Sequence, residues 1–330
     1  MAMIDKGLLL HVGLPKTGTT TLQQAIFPNH SQLYYLGKFF RTSVERGCLS
    51  NDVYEVLQPL FWGRKKAFDT KETIRLCREK ILPQVPENKC LLVSYEVLGN
   101  RPTVTFRLML ERTVETFGFC RILYVLRNPV TQIPSEYLQN IEGGFIDPNR
   151  REWMDPSCFL DIETWFAKKN MTRVEGPAID DRRPFFSSNY IQNIHASIEI
   201  LGKENVGVFL FEELQKQPEK YYRSISRFIG IDPDEAYCLS QQKHLNKRIT
   251  QGELDKIRQL YSSPWTRAVL PFLPKRLRRS VLSAASKNSV PAKVELNSEF
   301  QDKIIAATRD GHRWLAETLD LPLAQYGYPI

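Results

Sequence analysis

Residues 13–21 of this 330-residue chain read Gly13-Leu14-Pro15-Lys16-Thr17-Gly18-Thr19-Thr20-Thr21. They follow a short apolar run, residues 8–13, which predicts a buried strand because the run is continuous and ends at glycine. Leu22–Ile26 and then Pro28 predict a short helix and its end. Glycines allow close backbone approach, and a helix N-terminus offers N–H groups to an anion. The stretch therefore predicts a phosphate-binding loop between a strand and a helix.

The two glycines of this loop have the spacing of a Walker A motif, whose lysine would fall at position 19. The chain has Thr19 there, and its loop lysine is Lys16. Thr20 and Thr21 add further hydroxyl donors beside Thr19. The lysine that reaches the β and γ phosphates in nucleoside triphosphatases is thus absent. The loop predicts a phosphorylated nucleotide, bound differently from ATP in those enzymes.

Further apolar runs predict the class of fold. Residues 91–95, 122–126 and 206–211 read as buried strands, and helical spacing follows at residues 188–201 and 218–229. Continuous apolar strands that alternate with helices predict an α/β fold with a central, mostly parallel sheet flanked by helices.

The domain organisation is predicted from length and from two stretches that break this alternation. We predict one domain over residues 1–330, since no repeat or low-complexity segment divides the chain. Residues 143–184 are polar and turn-rich, and we expect a lid on the acceptor side. Residues 264–330 are predicted as a basic, helical C-terminal extension. Its last helix is expected over residues 298–319 with Asn297 as its cap.

Composition excludes several classes of protein. A formal charge of +8, 42% hydrophobic and 25% charged residues describe a globular chain rather than a disordered one. No run of about 18 apolar residues predicts a membrane span, and the first residues do not read as a signal peptide. The six cysteines are scattered without a CxxC motif and predict reduced thiols in a cytoplasmic protein. A truncated Golgi-lumenal domain remains an alternative.

Three motifs carry a resemblance to a known family. Residues 15–23 resemble the 5′-phosphosulfate loop of sulfotransferases that use 3′-phosphoadenosine 5′-phosphosulfate (PAPS). Residues 122–129 resemble a strand of that family that ends in arginine, here Arg127, with Ser135 eight residues later; in the family this pair grips the 3′-phosphate. An arginine fork matches phosphate oxygens well. Residues 208–230 resemble the late strand, glutamate and helix of the family.

The resemblance implies a P-loop NTPase-like three-layer sandwich, closest in pattern to bacterial and carbohydrate-type members. It implies PAPS as co-substrate, 3′-phosphoadenosine 5′-phosphate (PAP) as product, and no metal. Lys16 is expected on the leaving phosphate oxygen. By the same resemblance the residues that bind the nucleotide are Pro15, Lys16, Thr17, Gly18, Thr19, Thr20, Thr21, Arg127, Ser135, Tyr190, Lys247 and Arg248. For Tyr190 a place in the core is an equal alternative, and Pro134 leaves the direction of the Ser135 side chain open.

A general base is needed to take the proton of an acceptor hydroxyl. Glu96 follows the second predicted strand, and ligand sites of α/β sheets lie at such strand ends. Cytosolic sulfotransferases have histidine at the equivalent strand end, and carbohydrate-modifying relatives use glutamate in this role. We therefore predict Glu96 as the base, with His11 as runner-up, and a carbohydrate hydroxyl as acceptor. A lipid or small-molecule hydroxyl is the alternative. For Glu96, a helix cap or an ion pair with a lysine is an equal alternative. For His11, a hydrogen-bonded histidine of the core is the preferred interpretation.

Two other classes of function stay open at this stage. One is an ATP-dependent phosphotransferase on a variant P-loop, and the other is a non-catalytic protein that binds nucleotides or polyanions. No motif for nucleic-acid binding is found. The basic run at residues 275–279 reads as a solvated helix face, with a polyanionic glycan or a membrane surface as alternatives. The oligomeric state is left open.

Overall fold

The computed structural model describes residues 6–39, 49–61, 68–147, 154–171, 189–241, 248–287 and 289–330. The chain divides into two compact units. The sheet unit comprises Met1–Arg127, Ser187–Leu245 and Trp314–Pro322, and the helical unit comprises Asn128–Phe186, Asn246–Arg313 and Leu323–Ile330. The prediction of a single domain, with its lid and extension, stays a prediction.

The sheet unit is built on five parallel strands. They are β1 Leu8–His11, β2 Leu33–Lys38, β3 Cys90–Ser94, β4 Cys120–Leu126 and β5 Val206–Leu210. Their order across the sheet is β2-β3-β1-β4-β5, so β1 lies at the centre. Leu8 of β1 pairs with Leu91 on one side and with Cys120 on the other. The predicted α/β fold with a central parallel sheet and helices is confirmed.

Four of the five strands lie where the apolar runs predicted them, with ends shifted by a few residues. The strand that the sequence analysis missed is β2, at one edge of the sheet. Tyr34 and Tyr35 of this strand are only half-buried, because β2 has a neighbour on one side only. The segment of β2 therefore does not show the long apolar run from which the central strands were predicted.

Helices account for most of the remaining described residues. Those of six residues or more are α1 Asn51–Phe61, α2 Thr70–Leu76, α3 Thr103–Phe117, α4 Pro129–Ile146, α5 Ile162–Met171, α6 Asn189–Leu201, α7 Phe211–Lys216, α8 Pro218–Ile229, α9 Pro233–Ser240, α10 Gln251–Ser262, α11 Pro264–Val269, α12 Lys275–Ala285 and α13 Ser298–Leu319. The predicted helices at residues 188–201, 218–229 and 298–319 are confirmed. Asn297 caps α13 as predicted, since its Oδ1 accepts the N–H of Phe300 at 3.0 Å.

Each unit has its own apolar core. In the sheet unit, Phe27, Leu123 and Tyr221 belong to one cluster of buried side chains. In the helical unit, the Phe159 ring stacks on the Tyr261 ring with 3.8 Å between centroids. The burial of such side chains from water is the main favourable contribution to folding in each unit.

Pro134 lies buried inside α4 and does not end the helix, which continues to Ile146. The proline removes one helical N–H donor. At the start of α4, the Asn128 side chain accepts the N–H of Val130 at 3.0 Å and caps the helix. α4 therefore continues through Pro134 as one helix.

Candidate active site

The loop after β1 is joined to the strand beside it by backbone hydrogen bonds. Leu14 donates its N–H to the carbonyl of Val125 at 2.7 Å, and Val125 donates to the carbonyl of Gly13 at 2.5 Å. Gly13 has φ +83°, and a Cβ there would lie 2.5 Å from the backbone oxygen of Glu96. Only glycine fits this position, so Gly13 lets the loop pass directly over the segment that carries Glu96.

Lys16 adopts a backbone conformation that lysine rarely takes. Its φ is +65°, in the left-handed region, where a residue with a Cβ is less stable by about 1–2 kcal/mol. The Arg127 side chain donates to the Lys16 carbonyl at 3.1 Å and so contributes to holding this conformation. Such strain is concentrated at functional sites of proteins.

Two further residues of the loop are fixed by their surroundings. The Thr17 side chain is buried, and its hydroxyl donates to the carbonyl of Leu14 at 2.5 Å. This hydrogen bond connects two residues of the loop and stabilises its turn. Gly18 has φ +76°, and a Cβ there would lie 2.8 Å from a methyl group of Leu214. The predicted contacts of Thr17 and Gly18 with a nucleotide stay predictions.

The Glu96 carboxylate is held from two sides. The Thr19 hydroxyl donates to its Oε1. The Lys38 ammonium lies 3.5 Å from its Oε2, and the Lys38 and Glu96 side chains are 23% and 20% exposed. The loop after β1, the end of β2 and the segment after β3 thus meet at the carboxyl edge of the sheet, where α/β proteins bind ligands.

Arg127 follows β4 at the same edge. Its side chain donates a hydrogen bond to Lys16, and its guanidinium carbon lies 4.6 Å from the centre of the Phe211 ring. This second contact is a cation–π interaction, in which the ring face attracts the cation. Ser135 lies on α4 in the helical unit and is half-buried. The predicted pairing of Arg127 with Ser135 on one phosphate stays a prediction.

His11 lies in β1 and is fully buried. Its Nδ1 is 2.9 Å from the Ser94 hydroxyl, and its ring packs edge-on against Phe27. Burial lowers the pKa of His11 from 6.5 to about 4, with the Glu96 carboxylate acting in the opposite direction. A neutral, enclosed imidazole of this kind matches the core histidine that the sequence analysis weighed against a base at this position.

The remaining predicted nucleotide contacts differ in their surroundings. Thr20 and Thr21 are half-buried at the start of the short helix. Tyr190 is 4% exposed on α6, and burial raises the pKa of its hydroxyl well above the usual value. Arg248 is exposed in the helical unit, and Lys247 lies outside the described residues.

Lys38 is the residue of this site that the sequence analysis missed. It ends the missed strand β2, so nothing placed it beside Glu96. The available signal was the run at residues 33–36 followed by Gly37, which is typical of a short strand bounded by glycine. Among the described residues, no group of histidine, cysteine and carboxylate side chains is arranged to hold a metal ion.

Comparison with known proteins assigns the family. A family model for the sulfotransferase domain matches residues 8–268. The chain belongs to the sulfotransferase family. The motifs that carried the resemblance lie within this match, and the chain is accordingly an enzyme of the sulfotransferase class. A comparison with curated protein sequences found no match.

Solved sulfotransferase structures share low sequence identity with this chain. A sulfotransferase of Alicyclobacillus acidocaldarius has 17% identity, with 86% of this chain and 96% of that chain covered and a TM-score of 0.45. STF9 of Mycobacterium avium has 10% identity, coverages of 86% and 76%, and a TM-score of 0.43. Mouse SULT7A1, solved with PAP, has 15% identity, coverages of 78% and 65%, and a TM-score of 0.36. The family assignment rests on the family model and not on these structures.

The helices of the described residues were also compared with the requirements of a membrane span. None of them combines sufficient length with sufficient apolar character.

Proposed function

We propose that this sulfotransferase transfers a sulfuryl group from PAPS to a carbohydrate hydroxyl, with Glu96 as general base and Lys16 on the leaving oxygen. The observation that carries the proposal is the contact between the Glu96 carboxylate and Thr19 of the phosphate loop. It joins a proton acceptor to a loop of the type that binds phosphate. Sulfuryl transfer to a hydroxyl needs both in one place.

The residues of the loop fit the anionic groups of PAPS. The cation of Lys16, the half-buried hydroxyls of Thr20 and Thr21, and the guanidinium of Arg127 form a donor set suited to phosphate and sulfate oxygens. Lys16 and Arg127 would hold the nucleotide, and a net charge of +8 on the chain favours the approach of an anion.

PAPS supplies the sulfuryl group and leaves as PAP. Glu96 accepts the proton of the acceptor hydroxyl as the new sulfate ester bond forms. The hydroxyl of Thr19 and the ammonium of Lys38 hold the carboxylate in one orientation, while its 20% exposure leaves room for an acceptor. Lys16 stabilises the negative charge that develops on the phosphate oxygen as its bond to sulfur breaks. The protein contributes positioning and charge stabilisation, as in phosphoryl transfer.

The proposal of a carbohydrate acceptor rests on the resemblance of Glu96 to the glutamate of carbohydrate-modifying members. A lipid or small-molecule hydroxyl is the competing acceptor. Labelled PAPS offered with oligosaccharides, long-chain alcohols and phenols as separate acceptors distinguishes them. Label on oligosaccharides supports the proposal, and label on alcohols or phenols alone overturns the carbohydrate part of it.

Substitution of Glu96 tests the role of the base. We expect Glu96→Gln to lower turnover by about 10²–10⁴-fold, because a positioned base contributes about that much. Thermal stabilisation by PAP should persist, since the donors to the nucleotide remain. The exposed Glu111 of α3 provides the matched control, and Glu111→Gln should keep full turnover. Full turnover of Glu96→Gln would place the base elsewhere.

The nucleotide itself is tested by thermal unfolding with PAP, AMP, ATP, and ATP with Mg²⁺. A ligand that binds only the native state raises its stability, by about 2.7 kcal/mol at one hundred times Kd. Stabilisation by PAP and not by AMP supports a 3′-phosphate site. Stabilisation by ATP with Mg²⁺ alone would favour a phosphotransferase and would contradict the proposal.

A further inference from the structure

A stripe of large apolar side chains lies exposed on the helical unit. Trp265 is 85% exposed, Val269 56% and Phe272 84%. α11 and the helical turn Leu270–Phe272 follow one another directly, so these residues stand at positions i, i+4 and i+7. This spacing places the three side chains on one face of a helical stretch. Leu270, between them, is 3% exposed and faces the core instead.

The amphipathic character continues into α12, with cations added. Leu277 is 52% exposed, and Arg276 and Arg279 beside it are exposed as well. Lys275 is also exposed and forms an ion pair with Asp147 at 2.6 Å. Residues 263–287 contain no aspartate or glutamate. The surface therefore combines aromatic and aliphatic side chains with cations that the same segment does not neutralise. We call residues 265–279 the basic apolar face.

We propose that the basic apolar face binds the surface of an anionic lipid bilayer. Tryptophan and phenylalanine on one side of a helix, with lysine and arginine beside them, are typical of helices that lie in the membrane interface. The cations match anionic headgroups, and the apolar side chains match the boundary of the acyl chains. None of residues 265–279 is among the residues of the candidate active site, so the proposal does not rest on the proposed reaction.

Two other occupants fit the face less well. A polyanionic glycan would pair with Arg276 and Arg279 but would leave Trp265 and Phe272 in water. A second copy of this chain would cover the apolar stripe but would bring two sets of like charges together. A bilayer of anionic lipids is the partner that matches both the apolar and the cationic part.

Vesicle sedimentation of the full chain tests the proposal. We expect binding to vesicles of equal parts phosphatidylcholine and phosphatidylglycerol, and much weaker binding to phosphatidylcholine alone. Trp265→Ser/Phe272→Ser should lower the partition coefficient by about tenfold or more, because the aromatic side chains are the apolar anchors. Arg276→Gln/Arg279→Gln should lower it roughly fivefold for each cation removed. Added salt should weaken binding in the same direction.

Matched controls carry similar changes on other exposed positions. Val104→Ser/Val290→Ser replaces side chains that are 67% and 69% exposed, and Lys203→Gln/Arg309→Gln removes two exposed cations. Both controls should bind vesicles like the parent chain, and every variant should keep the parent melting temperature.

Three outcomes would overturn the proposal. The first is no binding to either vesicle, and the second is an equal loss in the control variants. The third is binding to another occupant without vesicle binding: a dimer by light scattering that Trp265→Ser/Phe272→Ser dissociates, or retention on a sulfated glycan that Arg276→Gln/Arg279→Gln abolishes.

Discussion

The phosphate loop and the basic apolar face are both rich in polar or charged residues, but they use them in opposite ways. In the loop, the Thr17 hydroxyl donates to the Leu14 carbonyl of the same loop, and the Thr19 hydroxyl donates to the Glu96 carboxylate. On the basic apolar face, Trp265 and Phe272 extend into solvent. The loop is defined by what it contacts inside the molecule, and the face by what it leaves exposed. The first arrangement suits chemistry at fixed distances, and the second suits attachment to a partner.

Among the tests of this comparison, the largest expected effect concerns the ammonium and backbone of Lys16. Lys16→Ala and Lys16→Gly should both lower turnover by about 10²–10³-fold, because each removes a group that stabilises charge in the transition state. The glycine variant should be more stable than the alanine variant by about 1 kcal/mol, since only alanine keeps a Cβ in the left-handed region. Turnover assays and urea unfolding measure the two quantities. Full turnover of the alanine variant would contradict the role of Lys16 in the reaction and with it the contrast between the loop and the basic apolar face.

The next effect separates two neighbouring arginines of the basic run. Arg278 is 1% exposed and donates to the carbonyls of Phe145 at 2.6 Å, Leu273 at 3.0 Å and Leu270. Arg278→Ala should lower the free energy of unfolding by about 3 kcal/mol, because bonds from a charged donor are lost in the interior. Arg279→Ala should change it by less than about 0.5 kcal/mol. Equal effects in chemical denaturation would contradict the division of this run into internal and external cations.

Arg278 also shows where reading the sequence stops. The run at residues 275–279 predicts a solvated helix face, and the exposure of Arg276 and Arg279 agrees with this prediction. The sequence of this basic run does not indicate which of its arginine side chains is buried. Burial depends on packing of α12 against α4, which comes from a distant part of the chain.

The loop, by contrast, was predictable because a motif fixes backbone positions that are close in sequence. Residues 8–26 predict a strand, a loop and a short helix, and the strand and the helix are confirmed. The contact between Thr19 and Glu96 was not predictable, since it depends on β3 lying beside β1. Lys38 was missed for the same reason. Its position beside Glu96 follows from strand order, and spacing along the chain does not reveal that order.

Two buried histidines extend the comparison to pH. Burial lowers the pKa of His11 in the sheet unit and of His312 in the helical unit from 6.5 to about 4. The unfolded chain therefore takes up these protons first, and stability present at neutral pH is lost as pH falls from about 6.5 towards 4.

The parent chain should lose free energy of unfolding between about pH 7 and about pH 5. In His11→Asn and in His312→Asn this loss should be smaller by about 2 kcal/mol each. Asparagine can keep a bond to Ser94 or to the Pro329 carbonyl, the present partners of the two Nδ1 atoms. Urea unfolding at both pH values measures the difference. An unchanged pH dependence in either variant would show that this histidine is not the group that titrates.

The smallest expected effect concerns the hydroxyl of Thr19. Thr19→Val should lower kcat about tenfold and leave KM nearly unchanged, because the Glu96 carboxylate loses one of the two groups that orient it. Thr19→Ser keeps the hydroxyl and should restore most of the loss. A serine variant as slow as the valine variant would assign the effect to the methyl group, and Thr19 would then be a packing residue.

The central position of β1 has a consequence for how the chain folds during synthesis. β1 leaves the ribosome well before its two neighbours, β3 and β4, which come much later in the chain. β1 therefore lacks any partner until β3 has emerged and lacks its second partner until β4 has emerged, and pairing between segments so distant in sequence is slow. The phosphate loop follows β1 and is hydrogen-bonded to β4, so it is completed only at that stage. A nascent chain that stalls before residue 126 thus leaves one edge of β1 unpaired. We expect chaperone binding to concentrate at that edge.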